Sequence, residues 1–282
     1  MRKQHRLVLL CKVLRVNRST YYKHFYSTPS SRSLENNNLK LLILQIYSEY
    51  KNILGAYKIR AILQHNYCIS ISLKRVYKLM NSIQLPSMAT KKPKHKPFSN
   101  HSIGDNLLSQ NFNQSAPNIV WVSDTTFLRA GSKWFYLCVI IDLFSRKVVG
   151  YKLSAKHDTY LICDTFNIAV KERNPKSLMF HSDRGCQYTS LPFRQLLDKH
   201  NFTQSLSKKG HPYDNAVAES FFKYLKLECT NRTSYRSFND LYLAIFDYIH
   251  LYNSKRPHST LNYLSPDKFE HLYYSNNSPY VH

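Results

Sequence analysis

Three acidic side chains stand where they could serve phosphodiester chemistry. Asp124 ends the apolar run Ile119-Val-Trp-Val-Ser-Asp124, and Asp183 ends a second, Leu178-Met-Phe-His-Ser-Asp183. Glu219 lies in a helix-like stretch, Asp214-Asn-Ala-Val-Ala-Glu219-Ser-Phe-Phe-Lys-Tyr-Leu-Lys226. Mg²⁺ is a hard cation that takes oxygen ligands, usually one or two carboxylates together with substrate phosphates. Two such ions about 4 Å apart clamp the attacking and leaving oxygens of an in-line displacement. Three acids are a minimal set for two ions, and the cations offset the acids' mutual repulsion. Two strand-end aspartates and a glutamate carried in on a helix can meet at one point. On that helix Asn215, Glu219, Lys223 and Lys226 recur at i, i+4, i+8 and i+11, so they share one face. A carboxylate flanked by lysines suits a metal ligand with DNA alongside. A plainer reading stays open, because an Asp after an apolar run is commonly a turn or a cap. Asp142 ends such a run too, at Ile140-Ile-Asp142.

The composition fits that chemistry. The chain has 282 residues, is 43% hydrophobic and 14% aromatic, and carries a formal charge of +23. That is enough apolar material for one large or two smaller cores, and it points to a polyanionic partner. The charge is uneven. Residues 1–100 hold 19 Lys and Arg against two acids, Glu35 and Glu49, while the remainder holds 21 against 15. The front half is the electrostatic grip, and the back half concentrates the acids. The longest apolar run, Trp134 to Ile141, is too short to span a bilayer. The basic start is followed only by Leu7-Val-Leu-Leu-Cys11 before Lys12, with no small-residue cleavage site. Six scattered cysteines without a Cys-x-x-Cys pair fit a reduced cytosol and indicate no zinc site or disulfide framework.

Those acids need elements to hold them. Residues 1–30 read as short helices, with Ser19 or Thr20 capping the second; they form either a helix-turn-helix or a basic pair packed on the rest. Residues 31–38 look like a polar linker. Leu39, Leu42, Ile43, Ile46, Tyr47 and Tyr50 then make one helical face. Gly55 breaks it, a second helix follows, and Ser72 caps a third with Leu73, Val76, Tyr77 and Met80 as its buried stripe. Lys74, Arg75 and Lys78 lie off that stripe. A basic outer face on the last helix of such a unit is how a recognition helix meets the major groove, though a solvated face reads the same way. Residues 91–97, with four lysines and two prolines, form an extended tether. From residue 118 the period changes. Three hairpin-linked strands, at 119–129, 134–142 and 147–153, precede alternating helices and strands; this is an α/β order with a mixed sheet covered by helices.

Several segments together resemble one known family. They are Trp121-Val-Ser-Asp124-Thr-Thr, Asp142-Leu-Phe-Ser-Arg146, His181-Ser-Asp183-Arg-Gly185-Cys-Gln187-Tyr, Gly210-His-Pro-Tyr-Asp214-Asn215-Ala-Val-Ala-Glu219 and Tyr252-Asn-Ser-Lys-Arg256-Pro-His258. They are similar to the OrfB-type insertion-sequence transposases, whose catalytic cores resemble retroviral integrases. Leu54-Gly-Ala-Tyr57 and Lys74-Arg-Val-Tyr77 resemble that family's helix-turn-helix. The resemblance implies an RNase H-like core over residues 115–230, preceded by helix-turn-helix segments at 1–30 and 31–90 and a linker at 91–114. A helical extension follows at 231–282. It also implies a D-D-E site of Asp124, Asp183 and Glu219 holding two Mg²⁺, for which Mn²⁺ can substitute, and strand cleavage followed by strand transfer. Implied partners are double-stranded DNA, as transposon ends and target, a second copy of the chain, and a DNA-binding subunit from an upstream frame. The implied location is the bacterial cytoplasm, in association with the nucleoid. Expected DNA contacts are Lys74, Arg75, Lys78, Asn215, Lys223 and Lys226. Two other readings fit the residues: another nuclease on the same scaffold, and a non-catalytic regulator using residues 1–97. The basic helical front weighs against an RNase H, and the presence of all three acids weighs against the regulator.

Overall fold

The computed structural model describes residues 6–26, 28–86, 105–208 and 212–277. The chain divides into two compact units, Met1–Arg60 with Ile69–Ser87, and Ala61–Cys68 with Met88–His282. Among the described residues no helix is long and apolar enough to cross a membrane. The Lys/Pro tether at 91–97 falls outside the described residues.

The front of the chain is helical: α1 (Leu7–Val13), α2 (Arg18–Tyr26), α3 (Ser31–Glu49), α4 (Ala56–Tyr67) and α5 (Leu73–Ser82). Three expectations change here. Residues 31–38 are the first two turns of α3, because Ser30 caps that helix by accepting from the Ser33 amide. Ser19 and Thr20 lie inside α2, which starts at Arg18. On α5 the buried stripe is Val76, Leu79 and Met80, while Tyr77 is exposed. Ser72 does cap α5, accepting from the Arg75 amide. Arg75 is not free for DNA. Its guanidinium donates to Asn36 Oδ1 at 2.7 and 3.0 Å and pairs with Glu35 at 2.8 Å, tying α5 to α3. Lys74 and Lys78 remain exposed on α5.

The second unit is built on a five-stranded sheet ordered β3-β2-β1-β4-β5. Its strands are β1 (Val120–Ala130), β2 (Lys133–Asp142), β3 (Val148–Ser154), β4 (Met179–Ser182) and β5 (Thr203–Leu206). The first three are antiparallel hairpin strands, and β4 and β5 add on in parallel. The β1–β2 turn needs Gly131, whose φ of +57° a side chain would disfavour. The β2–β3 turn is closed by Asp142. This carboxylate is fully buried and accepts from the amides of Asn118, Phe144 and Ser145 at 2.6 to 3.2 Å. It is a turn-former, separate from the acid site.

Helices cover both faces. Alternate residues of β1 point opposite ways. Trp121 enters one core with Phe166 of α6 (Thr159–Arg173) and Phe193 of α7 (Leu191–Lys199). Val120, Val122 and Leu128 enter the other, with Phe221 and Leu225 of α8 (Ala216–Leu225) and Ile245 and Ile249 of α9 (Phe238–Ser254). α6 lies tight on the sheet, since a Cβ on Gly150 would sit 2.8 Å from Ala169 Cβ. A π-turn, Lys226–Thr230, follows α8, and α10 (Pro266–Asn276) completes the described chain.

Arg256, a residue at which phosphate binding and turn-fixing read alike from sequence, is buried. It forms a two-pronged pair with Glu228 at 2.7 Å while stacking on Tyr224. Tyr248 also donates to that carboxylate. Removing one partner of a buried ion pair costs about 3–5 kcal/mol, because the other is left uncompensated. The expected result of Arg256→Ala is a matching loss of stability in urea unfolding. An unchanged midpoint would contradict this role.

Candidate active site

Asp124 sits inside β1, opposite Val139 of β2. The expectation of a strand-end aspartate is corrected here. The apolar run stops at residue 122, but Thr125, Thr126 and Phe127 are good strand formers and carry β1 on to Ala130. What ends is the neighbour. β4 pairs with β1 only as far as Val122 with His181. Two residues past that pair come Asp124, still within β1, and Asp183, just after β4 ends at Ser182, where the β4 edge opens.

Local contacts hold each acid. Asp124 Oδ1 accepts from the Thr125 amide at 2.7 Å. Asp183 Oδ1 accepts from the Gly185 amide at 2.9 Å, and a Cβ on Gly185 would stand 3.0 Å from the same oxygen. Only glycine leaves that oxygen uncrowded. Glu219 is exposed in the first turn of α8, which docks through Ala218, Phe221, Phe222 and Leu225. Asn215, just before α8, is buried and donates Nδ2 to the Ser123 carbonyl at 3.0 Å. It was expected on DNA. Instead it fastens the start of the glutamate's helix to the residue preceding Asp124.

The electrostatics connect the three. Burial pushes the Asp124 carboxyl up to about 7, and the charges of Asp183 and Glu219 push it the same way. Burial also raises Glu219. Lys226 is lowered by burial but favoured in its charged form by Asp124, and its Nζ lies 5.1 Å from the centre of the Phe127 ring. Asp183 and Glu219 are thus near enough to act on Asp124. Yet among the described residues no three His, Cys, Asp or Glu side chains are gathered closely enough to hold a metal ion as they stand. Like charges with no cation between them resist closer approach.

Other expected residues find structural places. His181 is fully buried between Ser205 and Ser207, at 2.8 and 3.0 Å, and burial lowers its pKa to about 4. It is a packed neutral strand histidine. Arg184 donates to the Ser207 carbonyl. Asp214 does not cap α8; it accepts from Asn106, Gln110 and the Lys208 amide. Lys223 is exposed in the last turn of α8. Two features escaped sequence reading. Under the site, Ser123 Oγ donates to the Val139 carbonyl and lies 2.8 Å from the buried Tyr188 hydroxyl. At its rim, Thr125 Oγ1 lies 3.0 Å from His157 Nε2. The hydroxyls on either side of Asp124, Ser123 and Thr125, were the available signal.

Comparisons with known proteins identify the family. Models of the integrase core domain match residues 114–212 and 200–266, and an HTH-like domain model matches residues 33–93. The transposase for insertion sequence element IS904 of Lactococcus lactis subsp. lactis is 39% identical, over 86% of this chain and 97% of its own length. Transposase InsF for insertion sequence IS3A of Escherichia coli is 34% identical, over 93% and 92%.

The chain belongs to the insertion-sequence transposases.

Among solved structures, a chain of a simian T-cell lymphotropic virus intasome is 14% identical, with a TM-score of 0.47 over 85% of this chain and 76% of that one. The HTLV-2 integrase catalytic core domain in complex with magnesium is 19% identical, with a TM-score of 0.41 over 55% of this chain and 97% of that one. The transposase is a DDE-type enzyme with an integrase core and a helix-turn-helix-like front.

Asp124 gives a pH signature. Its folded pKa of about 7 lies above the ordinary 3.8, so the unfolded chain releases this proton first as pH rises. The stability carried by the protonated form is complete below about pH 4 and lost by about pH 7. In metal-free buffer, Asp124→Asn is expected to be more stable than the parent above pH 7, by on the order of 2–4 kcal/mol. The two should be nearly equal near pH 4. Thermal melts across this range check it, and an Asn variant less stable than the parent at high pH would contradict it.

Proposed function

We propose that the transposase cuts and joins DNA strands at insertion-sequence ends with Asp124, Asp183 and Glu219 as its catalytic, metal-holding carboxylates. The observation that carries this is the electrostatic coupling of Asp183 and Glu219 to a half-buried Asp124 at the open end of β4. Three oxygen-donor side chains with no soft ligand among them suit Mg²⁺, and Mn²⁺ in its place. Burial chiefly, and the charges of Asp183 and Glu219 with it, lift Asp124 to about 7, and divalent cations would favour its ionised form. Two bound Mg²⁺ ions would polarise the phosphodiester and make a water or a 3′-hydroxyl nucleophilic near neutral pH.

The protein's own part is positioning. β1 carries one acid, the end of β4 a second, and α8 the third. Asn215 sets the start of α8 against β1. Lys226, already favoured as a cation by Asp124, supplies positive charge where a phosphate enters. No Ser or Tyr nucleophile is required, since both attacking groups are hydroxyls of water or DNA.

The proposed DNA contacts are Lys74 and Lys78 on α5, acting as a recognition helix in the major groove, and Lys223 and Lys226 beside the acids. Arg75 and Asn215 leave that set because their side chains bind within the protein. The proposed domains are the helical segments 1–30 and 31–90, a linker at 91–114, the catalytic core at 115–230 and the extension at 231–282. Working on two DNA ends at once calls for more than one copy of the chain, and fusion to or action with an upstream-frame DNA-binding subunit is part of this reading.

The test uses oligonucleotides bearing the element's ends. Asp124→Asn, Asp183→Asn and Glu219→Gln should each lower strand cleavage by roughly a thousandfold or more, the scale of several kcal/mol of lost transition-state stabilisation. End binding should stay within a few-fold. Chelation should abolish cleavage, and Mg²⁺ or Mn²⁺ should restore it. Full cleavage by any of the three variants would overturn the assignment.

A further inference from the structure

Along one face of the β1–β2 hairpin runs a strip of aromatic rings that the cores do not use. Phe127 and Trp134 are 58% and 52% exposed, and their rings meet edge to face at 5.3 Å. Phe127 pairs across the strands with Tyr136, and Arg129 with Trp134, so the four share a face. Tyr136 stacks on His157 at 4.8 Å with the planes 8° apart. Basic groups border the strip. Lys226 Nζ stands over Phe127, and Arg129 reaches past Trp134 to the Gly131 carbonyl. Beyond it opens a polar cleft of about 430 Å³ lined by residues that include Arg129, Asn231 and Arg232.

Cross-strand packing explains why the rings touch. It does not explain two large aromatics left half in water within one strand of an acid cluster, flanked by cations. A flat aromatic surface with positive charge alongside matches unpaired nucleic acid, whose bases offer a π-face and whose phosphates seek the cations. Paired DNA keeps its bases stacked inward and offers this surface nothing. Phe127 lies three residues along β1 from Asp124, on the other face of the strand, and Lys226, whose charge is coupled to Asp124 and whose Nζ is 5.1 Å from the Phe127 ring centre, joins the two.

We propose that this strip is a stacking platform for single-stranded DNA. Bases unpaired near the cleaved phosphodiester lie on Phe127 and Trp134, and Lys226 and Arg129 take the adjoining phosphates. The placement near the cut rests on the carboxylate reading above; the stacking does not. In reaction terms, the platform opens the duplex beside the site and so presents the phosphodiester to it.

The probe is a short oligodeoxythymidine carrying one 2-aminopurine, titrated with the full-length chain without metal. The parent should quench the 2-aminopurine fluorescence by stacking. Phe127→Ala/Trp134→Ala should lose the quench and bind the oligonucleotide about tenfold more weakly. Phe127→Tyr/Trp134→Tyr keeps the rings and should keep both, which separates stacking from a folding defect. An alanine pair that quenches and binds like the parent would overturn the proposal, as would a tyrosine pair as impaired as the alanine pair. Asp124→Asn should retain the quench while losing cleavage. If it cleaves, the carboxylate reading fails, and the quench still decides the platform.

Discussion

Everything in the catalytic unit answers to one electrostatic problem. A carboxylate inside a β-strand is held near two others, with burial already working against its charge. Left alone, such acids protonate or move apart. The fold prevents the second by covalent and packing constraints that do not depend on the acids. Asp124 is fixed by a long antiparallel pairing with β2, and Asp183 by the register of β4 on β1. Glu219 is fixed by a helix whose apolar side enters the same core as Val120 and Val122. The remaining strain appears as the raised pKa of Asp124, a stored demand for positive charge.

On the proposed reading, catalysis is a matter of supplying cations to these three acids. Electrostatic preorganisation of that kind works because the donors need little reordering when charge develops. The supports are unequal in stiffness. Asp124 has backbone pairing along its strand, whereas Glu219 is exposed at a helix start anchored by Asn215 and the core beneath. On that reading, the last step of closing on metal falls most naturally to Glu219. Lys226, between the acids and the aromatic strip, links the chemistry to the surface that would hold the strand.

Much of this was legible in residue types, because strand formers, helix stripes and caps declare themselves locally. The α/β order from residue 119 and the Ser72 cap came from such signals. Long-range facts did not. Asp124 and Asp142 end similar apolar runs, and only the sheet shows that one opens beside β4 while the other closes a turn with three amides. Asn215 and Arg75 looked like surface groups by helical spacing. Their partners, Ser123, Asn36 and Glu35, are distant in sequence, so spacing cannot reveal them. The asparagine-rich start of α3 read as linker because its apolar stripe begins only at Leu39, although Ser30 had already set the cap.

The most direct test is anomalous scattering from Mn²⁺ in crystals of the transposase bound to DNA ends. The account expects manganese held by oxygens of Asp124, Asp183 and Glu219 together, with a DNA phosphate completing the shell. Manganese bound elsewhere, or held with any one of these acids turned away from the other two, would contradict it.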